Sequence, residues 1–541
     1  MPQPPASPSP ESEPSSSEAG ATKPNVLFVI TDQQRADHAG FMGNPVVRTP
    51  HLDAIAERGT VFDSAWVANP VCMPNRSSIM TSRMPSVHGV VFNDRSLEWG
   101  AATHVRQFRS QGYRTALIGK SHLQHGMSRN SMFPGDTTPT VDHGYDDGWD
   151  TLEHFERYST DLPPWPDDFY GFGHVELAID HGARVTGHHL HWALDKGVAY
   201  EDLVVPYSSD APARRRSDRW WQVYEPPYDP EIHSTNFVTE QTISFIEDAA
   251  GAGEPWYAWA SFPDPHHPMT PPGEWFDRHD PADMELPDSI TDPLEHGPEY
   301  LRRMQQRAPT TQRSWVATCG ATDHGLMQEC IAATYGMIEF IDDGVGRIVA
   351  ALERLGQLDN TIIVFTSDHG DMMGDHGLML KGFIPFTGTQ KVSMVVADPR
   401  RSPGRTASLA SSIDLGPTLM DLCDVAPHDG MQGRSLVPVM DEPTESVRDH
   451  SLIEDDLPSI TAGLLRIPHR IRTIVCNDGL KYTRFSNGDT LLFDLTDDPG
   501  ETNELSHTDT GQTAVVNERL LDAMMHATDD ARGAPVNQVV R

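Results

Sequence analysis

Short apolar runs that stop abruptly at charged or polar residues constrain this chain more than any other feature. Asn25-Val26-Leu27-Phe28-Val29-Ile30 has no polar face, so it reads as a strand buried on both sides, as in a parallel sheet. It runs into Thr31-Asp32-Gln33-Gln34-Arg35. The run Tyr113 to Gly119 ends in Lys120 and His122. Trp256 to Phe262 ends in Pro263-Asp264-Pro265-His266-His267-Pro268, and Thr361 to Phe365 ends in Thr366-Ser367-Asp368-His369. Open α/β sheets hold their ligands at the carboxyl ends of strands, which is where these side chains fall. Before the last run, Ile338, Ile341, Val345, Ile348, Leu352 and Leu355 recur at helical spacing within residues 331–356, which close on Gly356. A helix followed by a strand is the connection a parallel sheet needs. The expected fold class is α/β: a large mixed, mostly parallel sheet flanked by helices, with a small C-terminal α+β subdomain.

At 541 residues the chain exceeds one simple core, and one large domain plus a smaller one is expected. Residues 1–23 are rich in Pro, Ser and Glu and cannot bury enough surface to offset ordering, so they are expected to be a disordered tail. The catalytic unit is expected over residues 24–445. Residues 446–541 are expected to form a C-terminal subdomain with antiparallel strands. No apolar run approaches the roughly 18 residues of a membrane span, and no signal-type layout opens the chain. These readings lead to a cytoplasmic expectation with no membrane partner.

A net charge of −37 opposes a phosphate backbone and excludes nucleic acid as the expected partner. Only six lysines occur, and two of them, Lys120 and Lys381, lie in polar motifs. A solvated-face explanation is weak for a residue the composition otherwise avoids. The five cysteines are scattered and form no C-x-x-C pair, so neither a disulfide framework nor a zinc site is indicated.

One cysteine has distinctive neighbours. Cys72-Met73-Pro74-Asn75-Arg76 places a thiol ahead of a rigid proline and a permanent cation. The pattern after it (Ser77, Ile79, Met80) puts Cys72 at a helix N-terminus, where free N–H groups and the dipole favour an anion. Taken alone, a buried cysteine in a loop-to-helix turn reads equally well, as does a helix cap for Asp32 or a turn for Asn93, and a polar loop between prolines is the better reading of His266.

Taken together, the motifs resemble the sulfatase family of the alkaline-phosphatase-like superfamily. C-x-P-x-R continues to Thr81, where Ser82 stands in place of the family's glycine. Gly119-Lys120-Ser121-His122-Leu123, Pro265-His266-His267-Pro268 and Ser367-Asp368-His369-Gly370 followed by Gly374-Asp375-His376 and Lys381 fit in order. The resemblance implies that a maturation enzyme, the formylglycine-generating enzyme, oxidises Cys72 to formylglycine, whose hydrate is the nucleophile. It implies a divalent cation on Asp32, Gln33, Cys72, Asp368 and His369, with Ca²⁺ or Mn²⁺ suited to that oxygen-rich set. Arg76, Lys120 and Lys381 would stabilise charge, His122 and His266 would move protons, and Asn93 would lie near the ester.

The substrate implied is a small sulfate ester. The Asp-Gln turn also resembles the phosphonate monoester hydrolase and choline sulfatase branches, so a phosphonate monoester or phosphodiester is the rival substrate. A non-catalytic binding protein of the same fold is the remote alternative. Residues 126–235 match nothing and are expected to be an insertion that sets substrate choice. The cluster His188-His189-Leu190-His191 within them lacks a carboxylate at metal spacing. Leaving-group identity and homo-oligomerisation are left open by the sequence.

Overall fold

The computed structural model describes residues 23–93, 95–126, 145–146, 148–308, 319–458, 462–463 and 466–531. The tail expected to be disordered lies outside the described residues up to residue 22. A nine-stranded sheet forms the centre. In chain order its strands are β1 (Asn25–Thr31), β2 (Thr60–Trp66), β3 (Arg114–Gly119), β4 (His174–Leu177), β5 (Trp256–Ser261), β6 (Thr361–Ser367), β7 (Lys391–Val392), β8 (Met394–Ala397) and β9 (Gly404–Ser411). Their spatial order is β7-β2-β8-β6-β1-β5-β3-β4, with β9 also paired to β2. Strands β6, β1, β5, β3 and β4 are parallel, whereas β8 is antiparallel to both β6 and β2. Residues 126–235 contribute to this sheet as well, because β4 pairs with β3 from Ala116↔His174 to Gly119↔Leu177.

Alternation along β1 sends Val26, Phe28 and Ile30 to one face and Leu27 and Val29 to the other. Burial on both faces is what the uninterrupted apolar run requires. On the first face Phe28 stacks on Trp259 with ring centroids 4.2 Å apart, and helix α1 (Cys72–Thr81) adds Met73, Ile79 and Met80. The second face is covered by α2 (Ser234–Ala252) through Phe237, Phe245 and Ile246, and by α3 (His324–Arg354) through Ile341, Val345, Ile348 and Leu352. Each such aliphatic side chain contributes roughly 1.5–3 kcal/mol on burial. Helix α3 starts earlier than the apolar spacing indicates, because the Asp323 side chain caps it by accepting from the Leu326 N–H at 3.1 Å.

The C-terminal part holds a four-stranded antiparallel sheet of β10 (His450–Asp456), β11 (Arg470–Cys476), β12 (Leu480–Phe485) and β13 (Thr490–Asp494). Helix α4 (Thr510–Ala531) packs on it through Val516, Leu520 and Ala523. Among the described residues, no helix is long and apolar enough to cross a membrane.

The parallel strands stop nearly level. Thr31 is opposite Ser367, Ile30 opposite Ser261, and Gly119 opposite both Ser261 and Leu177. The residues that follow them therefore emerge side by side. Gly119 permits this closeness: its φ is +101°, and a Cβ there would lie 1.9 Å from the Ser261 carbonyl oxygen. Gly119→Ala is expected to cost roughly 2–4 kcal/mol, read as a lowered denaturant midpoint.

Histidines are also built into the fold without charge. Burial pushes His104 and His189 down to about 4 and His233 to about 3. The unfolded chain, with imidazoles near 6.5, then binds more protons than the fold at mildly acidic pH. Their contribution is complete above about pH 6.5 and is lost as pH falls toward about 4. The unfolding temperature should fall steadily from pH 7 to 5. A flat profile would mean that these imidazoles are protonated in the folded protein.

Candidate active site

Cys72 is the first residue of α1 and is 1% exposed. Its Sγ lies 3.0 Å from Lys381 Nζ, 3.1 Å from His369 Nε2 and 3.7 Å from Asp32 Oδ1. Burial pushes this thiol up, against the pull of Lys381 and Arg76. Cys319, Cys330, Cys423 and Cys476 are buried in apolar clusters instead. The thiol at position 72 is set among an ammonium, an imidazole and a carboxylate. Helix α1 ends at Ser82 in the left-handed conformation with φ 54°, which explains why a glycine is natural at this position.

The helix is tied to the sheet through Arg76. Its Nε donates to Asp368 Oδ2 at 2.7 Å, and its Nη1 donates to the Lys120 carbonyl at 3.1 Å and to Ser261 Oγ at 2.8 Å. Both Arg76 and Asp368 are 0% exposed. Burial would raise Asp368, but His369, Arg76, Lys120 and Lys381 hold it well below the usual carboxylate range. Asp368 Oδ1 also accepts from the Gln33 backbone N–H at 3.1 Å. His369 Nδ1 is 2.8 Å from the Gly370 carbonyl, so it is the donor and Nε2 carries the lone pair. That Nε2 lies 3.5 Å from Asp368 Oδ1 and 3.6 Å from Asp32 Oδ1.

This donor set suits a divalent cation. Asp32, Cys72, Asp368 and His369 bring one ligand atom each to within 4.8 Å of one another. The Gln33 amide nitrogen is engaged by Asp371 Oδ2 and lies 3.1 Å from His267 Nδ1, while Gln33 Oε1 is buried with no partner. A buried carbonyl oxygen without a donor is what a bound cation would satisfy.

The remaining groups come from β3, β4 and β5. Lys120 Nζ donates to Asp32 Oδ2 and to His181 Nε2, the latter at 2.6 Å. Burial pushes Lys120 down to about 7. His122 has φ 57° and a buried Nδ1 without a partner. Burial first, then Lys120 and His181, hold it well below the ordinary imidazole range. The turn that carries it is held by one buried carboxylate, Glu153, which accepts from Ser121 Oγ at 2.8 Å and from the N–H groups of His122, Leu123 and Gln124 at 2.7–3.0 Å. His266 Nδ1 points at the His267 carbonyl. Its ring stacks on His181 at 3.7 Å and on His267 at 4.1 Å. Asn93 accepts from the Met73 N–H at 3.1 Å, which puts it beside the Cys72 helix terminus.

The structure thus gathers Asp32, Gln33, Cys72, Arg76, Lys120, His122, His266, Asp368, His369 and Lys381 into one pocket. The His188 cluster does not join them. His189 and His191 face the carbonyls of Ile232 and Tyr158, and His188 accepts from the Leu177 N–H. Sequence reasoning misses His181 and Glu153. They lie in the stretch that matches no motif, and β4 is too short to stand out as an apolar run.

The mostly parallel sheet, whose strand ends surround a buried cysteine with carboxylates and cations, is an alkaline-phosphatase-like fold. The chain matches the family described as "Sulfatase" over residues 24–425 and that described as "N-sulphoglucosamine sulphohydrolase, C-terminal" over residues 374–529. It belongs to the sulfatase family. It is 29% identical to an arylsulfatase of Clostridium perfringens over 446 residues, covering 80% of this chain and 82% of the relative. Identity to a choline-sulfatase of Rhizobium meliloti is 27% over 508 residues, with coverage of 90% and 83%. In fold, it is similar to the phosphonate monoester hydrolase of Agrobacterium radiobacter, with a TM-score of 0.73, 24% identity and coverage of 93% and 96%.

Removing Glu153 would leave four donors of the Lys120–His122 turn unsatisfied. Glu153→Ala is expected to destabilise the protein by roughly 2–4 kcal/mol and to lower kcat by roughly tenfold or more. Paired thermal unfolding and steady-state kinetics measure both. Unchanged kcat in a folded variant would remove Glu153 from any positioning role.

Proposed function

We propose that the protein hydrolyses sulfate esters, with Cys72 converted to formylglycine by a formylglycine-generating enzyme and a divalent cation on Asp32, Gln33, Asp368 and His369. When present, these two groups supply a nucleophilic oxygen and the Lewis acidity that activates it. Oxygen donors with one imidazole favour Ca²⁺ or Mn²⁺ over Zn²⁺. The observation that carries this reading is the Cys72 thiol, placed at a helix start among Lys381, His369 and Asp32 within 3.7 Å.

The remaining roles follow from which hydrogens and lone pairs are already committed. Arg76 spends Nε and Nη1 on Asp368, Lys120 and Ser261, and its buried Nη2 makes no hydrogen bond, lying 4.0 Å from Asp32 Oδ2. That N–H is the donor for an oxygen of the transferred group, with Lys120 adding a second cation. His266, with Nδ1 donating to a carbonyl, keeps its lone pair on Nε2 and takes up a proton. Lys381 brings N–H donors to within 3.0 Å of position 72 and protonates the leaving oxygen. His122 and Asn93 complete the wall around the ester.

A phosphonate monoester is the second reading, favoured by the Asp32-Gln33 turn and by cations that suit any tetrahedral anion. The deciding measurement is kcat/KM for an aryl sulfate against an aryl phosphonate monoester, using protein co-expressed with a formylglycine-generating enzyme and supplied with Ca²⁺ or Mn²⁺. A ratio well above one is expected. A ratio well below one would transfer the protein to the phosphonate reading. Chelation should abolish turnover and also lower the unfolding temperature, since a cation held only by the folded site stabilises the fold. Lys381→Ala should lose more rate on esters of poor leaving groups than on good ones, and equal losses would remove it as the acid.

A further inference from the structure

His181 has no counterpart among the motifs, yet it reaches the centre of the pocket. It sits on the loop after β4, four residues beyond Leu177, the strand's last residue. The loop is locked in place from three sides. Asp180 holds the left-handed conformation with φ 84°. Its carboxylate accepts from Tyr207 Oη and from the His181 N–H at 3.2 Å, and it pairs with Arg184 at 3.2 Å. Gly182 packs so closely that a Cβ would lie 2.9 Å from the Pro268 carbonyl, on the loop that carries His266.

We infer that His181 is a positioning residue for Lys120 and that it fixes the direction of the one ammonium hydrogen left for substrate. An ammonium has three N–H donors and no acceptor. Among the described residues, Lys120 Nζ makes two hydrogen bonds, to Asp32 Oδ2 and to His181 Nε2 at 2.6 Å. An ammonium can only donate, so Nε2 is the acceptor and Nδ1 carries the ring proton, 3.6 Å from Asp180 Oδ1. With two donors anchored in different directions, the third cannot rotate. Without His181, only Asp32 would hold the ammonium, and the other two hydrogens would swing about that bond. The stacking of His181 on His266 at 3.7 Å is a separate contact, which allows the two roles to be tested apart.

The inference rests on the sulfatase reading for what the third hydrogen faces, namely an oxygen of the transferred sulfuryl group. His181→Phe keeps a ring against His266 but removes the acceptor, whereas His181→Gln keeps an acceptor and removes the ring. On aryl sulfates, His181→Phe should lose roughly ten- to hundredfold in kcat/KM. His181→Gln should stay within roughly threefold of the unsubstituted protein, and both variants should retain its unfolding temperature. The loss in His181→Phe should be the same for good and poor leaving groups. A loss that grows with leaving-group pKa would put His181 itself on the leaving oxygen and overturn the positioning role, as would a His181→Gln variant as slow as His181→Phe. Calorimetric binding of inorganic sulfate reads the same contact without turnover and should weaken in His181→Phe but not in His181→Gln. If the unsubstituted protein turns over no ester, the function reading fails alone, and the sulfate-binding pattern still decides the role of His181.

Discussion

The buried ion pair between Arg76 and Asp368 is the interaction on which the rest of the site depends. It joins the first turn of α1, which presents Cys72, to the end of β6, which presents the metal-type residues. Neither side chain has any exposure, so neither charge is tolerable without the other. Breaking such a pair by removing one partner typically costs about 3–5 kcal/mol. The adjoining Asn75 adds a second tie by donating to the Asp368 carbonyl at 2.5 Å. Arg76 is a structural brace on three of its contacts, and its Nη2 makes no hydrogen bond.

The same economy extends through the pocket. Three buried polar atoms on residues of the site, Gln33 Oε1, Arg76 Nη2 and His122 Nδ1, make no hydrogen bond. Buried polar groups are rarely left unpaired in a folded protein. Those three atoms are open to a ligand, whereas His104, His189 and His191 elsewhere in the fold are satisfied on carbonyls. The two carboxylates and three cations are likewise close enough to offset one another, and this charge balance is sensitive to small displacements.

The fold was largely legible. The runs at Asn25, Tyr113, Trp256 and Thr361 each became a parallel strand, because an apolar stretch with no polar face can be buried only between two layers. The antiparallel β8 and the pairing of β4 were not legible. Met394–Ala397 and His174–Leu177 are too short to show a period, and strand direction is decided by the sheet rather than by the strand. The earlier start of α3 was hidden for a related reason: its first turn rests on the Asp323 cap and has no apolar spacing.

For the site, Asp32, Lys120, His266 and Asp368 fall at the ends of strands, where α/β sheets hold ligands. The joint resemblance of their motifs to the sulfatase family nominated them, and the spacing around Cys72 placed it at a helix start. The sequence by itself determined these because strand and helix periodicity are local and fix which residues follow each element. Which of them share a pocket was decided only by the tertiary structure. Level strand ends bring residues more than 300 positions apart into contact, as with Gln33 and Asp368. His181 and Glu153 belong wholly to that second category. Their roles come from a carboxylate meeting a turn and an imidazole meeting an ammonium across the sheet edge, and no local pattern in the chain encodes those distances.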